Sequence, residues 1–129
     1  MRLQTLKSLL AALGSGLLLA ASAAAQAADP GVSDSTITLG MSAPFTGPNG
    51  AYGKEMKEGA LAYFAQLNAA GGIGGKKIEL LALDDGYETE KTVANTRKLI
   101  NESKVFALMA YYGSSPTTEA MKVFSEAKV

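Results

Sequence analysis

Three times along the chain a short apolar run gives way to a stretch with apolar side chains at helical spacing. Thr36-Ile37-Thr38-Leu39-Gly40-Met41 alternates polar and apolar positions, the period of a half-buried strand. Over 52–68, Met56, Ala60, Tyr63, Phe64 and Leu67 recur at helical spacing, with Lys54, Glu55, Lys57 and Glu58 opposite them. This predicts an amphipathic helix that buries Tyr63 and Phe64. Residues 77–83 predict a second strand, ending at Asp84-Asp85, and 90–102 a second helix carrying Val93, Leu99 and Ile100 inward. The run 105–110 is apolar throughout, as expected of a strand covered on both faces. A third helix follows over 116–128, with Ala120, Met121 and Phe124 on its buried face. Pro116 suits its first position and Ser115 its N-cap.

The order β-α-β-α-β-α, joined by right-handed crossovers, predicts an α/β fold of three layers: a parallel sheet with helices on both faces. Ligands of open α/β sheets bind beyond the C-terminal edge, so the loops that leave the strands are the candidates. They are 42–53, 84–89 and 111–118. Gly71-Gly72-Ile73-Gly74-Gly75 falls at the opposite edge and reads as a helix stop and turn. It fails G-x-G-x-x-G because the last position is Lys77, and no G-x-x-x-x-G-K-[ST] occurs. A nucleotide site is not indicated.

Ahead of this pattern, Arg2 and Lys7 flank the start of an apolar run over 9–25, interrupted by Gly14, Ser15, Gly16 and Ser22. It ends in Ala25-Gln26-Ala27, an A-x-A cleavage pattern. The run is shorter and more broken than the roughly 20 apolar residues of a membrane span. Residues 1–27 are therefore read as a signal peptide, with 28–129 the exported domain and no membrane span after cleavage. The expected address is a bacterial periplasm. No Cys stands at the cleavage point to take a lipid anchor.

Charge and composition narrow the chemistry. The chain has 12 Lys+Arg and 12 Asp+Glu, and losing Arg2 and Lys7 leaves 10 basic against 12 acidic residues. Binding nucleic acid needs a concentrated basic face, which this balance does not offer. There is no His and no Cys. That excludes a Ser-His-Asp triad within the chain, a His-based zinc site, thiol catalysis, iron–sulfur ligation and disulfides. Hydrophobic content of 47% with 19% charged residues argues for a folded core. The expectation is a soluble, globular protein without cofactor or metal, and not an enzyme.

Of the three loops, the third carries the clearest chemistry. Gly113 lets a ligand approach the backbone, Ser114 and Ser115 supply hydroxyls, and the N–H groups of the following helix favour an anion such as a carboxylate. The competing reading is that Ser115 only caps the helix while Ser114 fills a turn, and the loop alone leaves both open. Asp84-Asp85 does not match the D-x-[DN]-x-[DN]-G calcium pattern. Glycosidase carboxylates face each other across about 5–10 Å, whereas neighbours on a strand point to opposite sides. Asp85-Gly86 therefore reads as a strand-ending turn, with one acid bonded to the adjacent loop.

Taken together, Ile37-Thr38-Leu39-Gly40, Ala43-Pro44-Phe45-Thr46-Gly47, Tyr52-Gly53 with Gly59-Ala60, Asn68 through Gly75, Asp84-Asp85 and Gly113-Ser114-Ser115-Pro116-Thr117 resemble the periplasmic leucine/isoleucine/valine-binding proteins. The resemblance runs from about Ile37 to Val129. It implies a type I periplasmic binding fold, strand order 2-1-3, and the substrate-binding subunit of an ABC importer that serves an inner-membrane permease. Its ligand would be a branched-chain amino acid or a related small amino-acid or amide solute. In that family a hydroxyl of the third-strand loop holds the head group, which falls on Ser114, with Ser115 as the neighbouring alternative. An aromatic of the first loop lines the side-chain pocket, matching Tyr52, with Phe45 a further candidate for that wall. Family members have two lobes and run to several hundred residues, so 28–129 is expected to be an incomplete N-terminal lobe. A periplasmic ligand-sensing module of a signalling receptor would share the same fold.

Overall fold

In a computed structural model, which describes residues 29–129, the alternating run forms β1 (Thr36–Ala43). It pairs in parallel with β2 (Lys77–Asp84) over eight residue pairs, from Thr36 opposite Lys77 to Ala43 opposite Asp84. On its other side β1 pairs in parallel with β3 (Ala107–Leu108), giving the sheet order β2-β1-β3. The segment read as a signal peptide, 1–27, lies outside the described residues.

The connecting helices are α1 (Gly50–Ala69), α2 (Thr89–Asn101) and α3 (Ser114–Ala127). The crossovers β1 to β2 and β2 to β3 run in opposite directions across the sheet. Right-handedness therefore puts α1 on one face and α2 on the other, where α2 packs on both β1 and α3. The three-layer α/β arrangement expected from the sequence is the one observed. Met41, Ala43, Leu99, Val105 and Ala120 form the fully buried core. At the outer edge of β2, the Asn68 side chain stands in for a missing strand. Its Nδ2 donates to the Ile78 carbonyl at 2.9 Å, and its Oδ1 accepts the Ile78 N–H at 2.8 Å.

Five local expectations are corrected, the simplest being Met121, read onto the buried face of the third helix but 49% exposed. The strand read over 105–110 shrinks to two residues, flanked by single bonds from Phe106 N–H to the Thr38 carbonyl and from Met109 N–H to the Gly40 carbonyl. Lys104 (φ 52°) and Ala110 (φ 54°) are left-handed on either side, and each turns the chain out of the extended conformation. Helix α3 starts two residues early, so Gly113 is the N-cap and Pro116 the third helical residue. Pro116 loses nothing there, because the first N–H groups of a helix have no intrahelical acceptor. Tyr63 is 62% exposed. Only the narrow stripe through Met56, Ala60, Phe64 and Leu67 faces the protein, and Tyr63 stands on its flank. Along α2 the buried positions are Thr92, Thr96 and Leu99, one turn apart, while Val93 and Ile100 are half-buried.

Candidate ligand site

The C-terminal ends of the strands deliver three loops to one edge of the sheet. The first, Pro44 to Asn49, folds back under the start of α1. Gly53 is what allows this, since a Cβ there would fall 1.9 Å from the Pro44 carbonyl oxygen. The loop is then tied down by the adjacent acid. Asp84 Oδ1 accepts the N–H groups of Phe45 (2.7 Å), Gly86 (3.0 Å) and Thr46 (3.3 Å), and Oδ2 accepts the Thr46 hydroxyl at 2.7 Å. Partial burial works against the charged carboxylate, but these four donors outweigh it and hold Asp84 below its ordinary pKa.

Asp85 points the other way, into the α2 layer, and is fully buried. Its Oδ2 accepts the hydroxyls of Ser42 (2.8 Å) and Thr92 (3.0 Å), and its Oδ1 accepts the Tyr87 N–H at 2.9 Å. Thr96 continues the polar seam, bonding the Thr92 carbonyl at 2.7 Å and the Tyr111 hydroxyl at 2.9 Å. Burial pushes the Tyr111 phenol up, against the Thr96 bond and with help from the Asp85 charge. Both acids thus have structural partners on opposite sides of the strand end, and neither lines the open pocket nearby. Among the described residues no group of three or more acids is placed to hold a metal ion.

That pocket, about 560 Å³, is lined by Tyr87, Tyr112, Gly113, Ser114, Thr117 and Thr118. Ser114 is the first residue of α3, behind a Gly113 whose φ of 98° suits glycine. No side chain caps this helix start, so its first N–H groups lie free beside the pocket. Tyr112 is stacked flat on Tyr52, centroids 5.2 Å apart and 11° between planes, and Tyr87 meets Tyr112 at 5.8 Å and 57°. Burial, then the neighbouring Tyr52 and Tyr87, raise the Tyr112 pKa, so its phenol stays neutral at ordinary pH.

Of the five residues nominated from the sequence, Gly113 and Ser114 line this pocket. Tyr52 joins it at one remove, through its stack on Tyr112. Ser115 instead turns toward α2, its Oγ 3.5 Å from Thr89 Oγ1. Phe45 lies apart, under the Lys57 ammonium at 4.6 Å. Tyr87, Tyr112, Thr117 and Thr118 were not nominated. Their signal was position alone: Tyr87 follows the Asp-Gly turn, Tyr112 precedes Gly113, and the two threonines are the fourth and fifth residues of α3.

A pocket of tyrosine rings, hydroxyls and helix-start N–H groups thus lies at the C-terminal edge of a parallel sheet, the edge at which open α/β folds bind ligands. The chain belongs to the periplasmic binding protein family, whose description matches residues 36–129; this is a family of non-catalytic solute-binding proteins. Among its relatives is an amino acid binding protein of Pseudomonas aeruginosa, 36% identical over 93 residues, which cover 72% of this chain and 25% of that protein. The branched-chain amino acid transporter substrate-binding protein LivJ of Streptococcus pneumoniae, solved in complex with isoleucine, superposes with a TM-score of 0.70 at 35% identity. That match covers 73% of this chain and 27% of LivJ. A fatty acid ABC transporter substrate-binding protein of Thermomonospora curvata gives a TM-score of 0.73 at 31% identity, over 78% of this chain and 25% of the other. The chain spans about a quarter of the length of the proteins it matches.

Proposed function

We propose that the chain supplies part of the N-terminal lobe of a substrate-binding component of an ABC importer. In this reading it is exported to the periplasm, cleaved after residue 27, and delivers its solute to an inner-membrane permease. The solute is small and carries a carboxylate: a branched-chain amino acid, or a related amino-acid or amide ligand. The observation that carries this reading is the pocket at the start of α3, in a chain whose relatives are named for amino-acid binding and transport. The carboxylate accepts the Ser114 hydroxyl and the free N–H groups behind Gly113, where the helix dipole favours negative charge. On the side of the first loop, Tyr52 backs the wall through its stack on Tyr112.

The reading is tested by titrating the isotope-labelled chain with isoleucine and following amide signals by NMR. Millimolar ligand is expected to move Gly113 and Ser114 first. Ser114→Ala is expected to weaken that response about tenfold, the worth of a hydrogen bond to a charged group. If isoleucine, leucine and valine all leave these amides where they were, the site has been misread.

A further inference from the structure

Tyr87 carries backbone strain at the ligand edge. Its φ of 68° is left-handed, an outlier for a bulky aromatic residue, where glycine or asparagine would fit without cost. Strain of this kind persists only where the surroundings over-determine it. Here the surroundings are a buried acid. Asp85 Oδ1 accepts the Tyr87 N–H at 2.9 Å, and the Asp85 carbonyl accepts the next N–H, that of Glu88, at 2.9 Å. Asp85 is itself pinned from two elements, by the hydroxyls of Ser42 on β1 and Thr92 on α2. Asn95 extends the brace, its Nδ2 donating to Ser42 Oγ and to the Asp84 carbonyl, each at 3.1 Å.

The strained turn decides where the ring goes. A Cβ on Gly113 would fall 2.4 Å from Tyr87 Cε2 and 3.2 Å from its hydroxyl, so the ring edge lies directly against the Gly113 backbone. The space that this glycine leaves open at the start of α3 is thus filled from the neighbouring loop. Tyr87 reaches from the β2–α2 loop to the β3–α3 loop and walls one side of the pocket. A ring in this place keeps water from that side of the first N–H groups of α3, and hydrogen bonds strengthen where water is excluded. At negative φ the side chain would leave the backbone in another direction, and Gly113 would lose this cover.

From this geometry we infer that Asp85 is a positioning residue for the solute pocket. It touches no solute, but by holding the Tyr87 N–H it keeps the pocket wall assembled on Gly113 before solute arrives. The inference rests on the proposed role of Ser114 and Gly113, and adds what prepares them. Releasing the turn lets residue 87 leave the left-handed region, and apparent affinity falls by the fraction of molecules that stay competent. For a residue other than glycine that fraction is about a tenth.

Two NMR readouts on the isotope-labelled chain test this: the contact between the Tyr87 ring and the Gly113 Hα protons, and the titration of the Ser114 amide with isoleucine. In wild-type chain the ring contact is expected without solute and unchanged by it. A contact that appears only with isoleucine overturns the role of Asp85, and this comparison needs no variant to fold. Asp85→Ala is expected to lose the contact and to weaken isoleucine about tenfold. Asp85→Asn should keep both. Its amide oxygen still accepts the Tyr87 N–H, and Thr92 can turn its hydroxyl to the Glu88 carbonyl, already 3.1 Å away. Asn68→Ala, which removes the bonds to Ile78 near the far end of β2, should lower stability yet leave contact and affinity alone. Equal losses in Asn68→Ala, or in Asp85→Asn, overturn the inference. So does unchanged isoleucine binding in Asp85→Ala, which leaves the solute-binding reading standing. Failure of isoleucine to move Ser114 in wild-type chain overturns that reading, and the positioning role with it.

Discussion

At the scale of single residues, the two neighbouring acids do opposite work with the same chemistry. Asp84 gathers four donors from the first loop and its own turn, and Asp85 gathers three from β1, α2 and the turn. Since Asp84 has a folded-state pKa below the ordinary 3.8, it stabilises the fold above the pKa of the unfolded chain. That contribution is lost as pH falls through the lowered folded value. Thermal melts of wild-type chain and Asp84→Asn between pH 7 and about pH 2 should therefore converge at the acid end. A gap that stays constant with pH would mean that the lost contacts, not the charge, set the difference. The turn chemistry of Asp85-Gly86 was legible, because Asp-Gly at a strand end has a local cause. That Tyr87 would take the left-handed backbone was not, since aromatic residues rarely do so. The reason lies in a buried carboxylate and a glycine 26 positions away in sequence. Ser114 and Gly113 were legible as a helix start beside a ligand edge. Which of two adjacent serines faces the pocket depended on where α3 begins, and Gly113 moved that start by two residues.

At the scale of elements, period alone carried most of the fold. Alternation over 36–41 and the apolar stripe after it gave β1 and α1, and the sequence of elements gave the parallel sheet. Period fails where burial depends on what lies across from an element. Tyr63 shares the apolar side of α1, yet the sheet beneath offers only a narrow seat and leaves it exposed. Thr92 and Thr96 look like surface residues in sequence, but they are buried because Asp85 and Tyr111 need their hydroxyls. Polar partners of this kind are invisible until the fold brings them together. Asn68 is the same case at a strand edge, where both polar atoms of its amide are matched to one residue of β2. Asn68→Ala leaves the Ile78 N–H and carbonyl without these partners, and is expected to cost about 1–3 kcal/mol by chemical denaturation. Asn68→Asp keeps the acceptor but sets a carboxylate oxygen against the Ile78 carbonyl, so at neutral pH it should cost at least as much as Asn68→Ala. An Asn68→Ala chain as stable as wild type would show that water replaces the amide at no cost.

At the scale of the whole molecule, the sheet is unevenly tied. β1 and β2 share a ladder of eight pairs with the Asn68 clamp beyond it, whereas β3 meets β1 over two. Around β3 the described residues include a 47% exposed Phe106 and two left-handed positions, Lys104 and Ala110. Local opening free energies follow buried contact and hydrogen bonding, so the two sides of β1 should open separately. The consequence reaches the candidate pocket, because Tyr112, Gly113 and Ser114 hang from the short strand while Tyr87 hangs from the long ladder. Native-state hydrogen exchange distinguishes the two sides. Amides in the β1–β2 ladder are expected to exchange slowest, and those of Phe106 and Met109, which bond β1 on either side of β3, markedly faster. If the chain binds solute as proposed, ligand should protect Phe106 and Met109 selectively, because the pocket is lined from both sides, by Tyr87 and by Ser114. Uniform protection across all three strands without ligand would contradict this division. So would a ligand that slows only the β1–β2 amides, because nothing bound between the two sides could leave β3 unchanged.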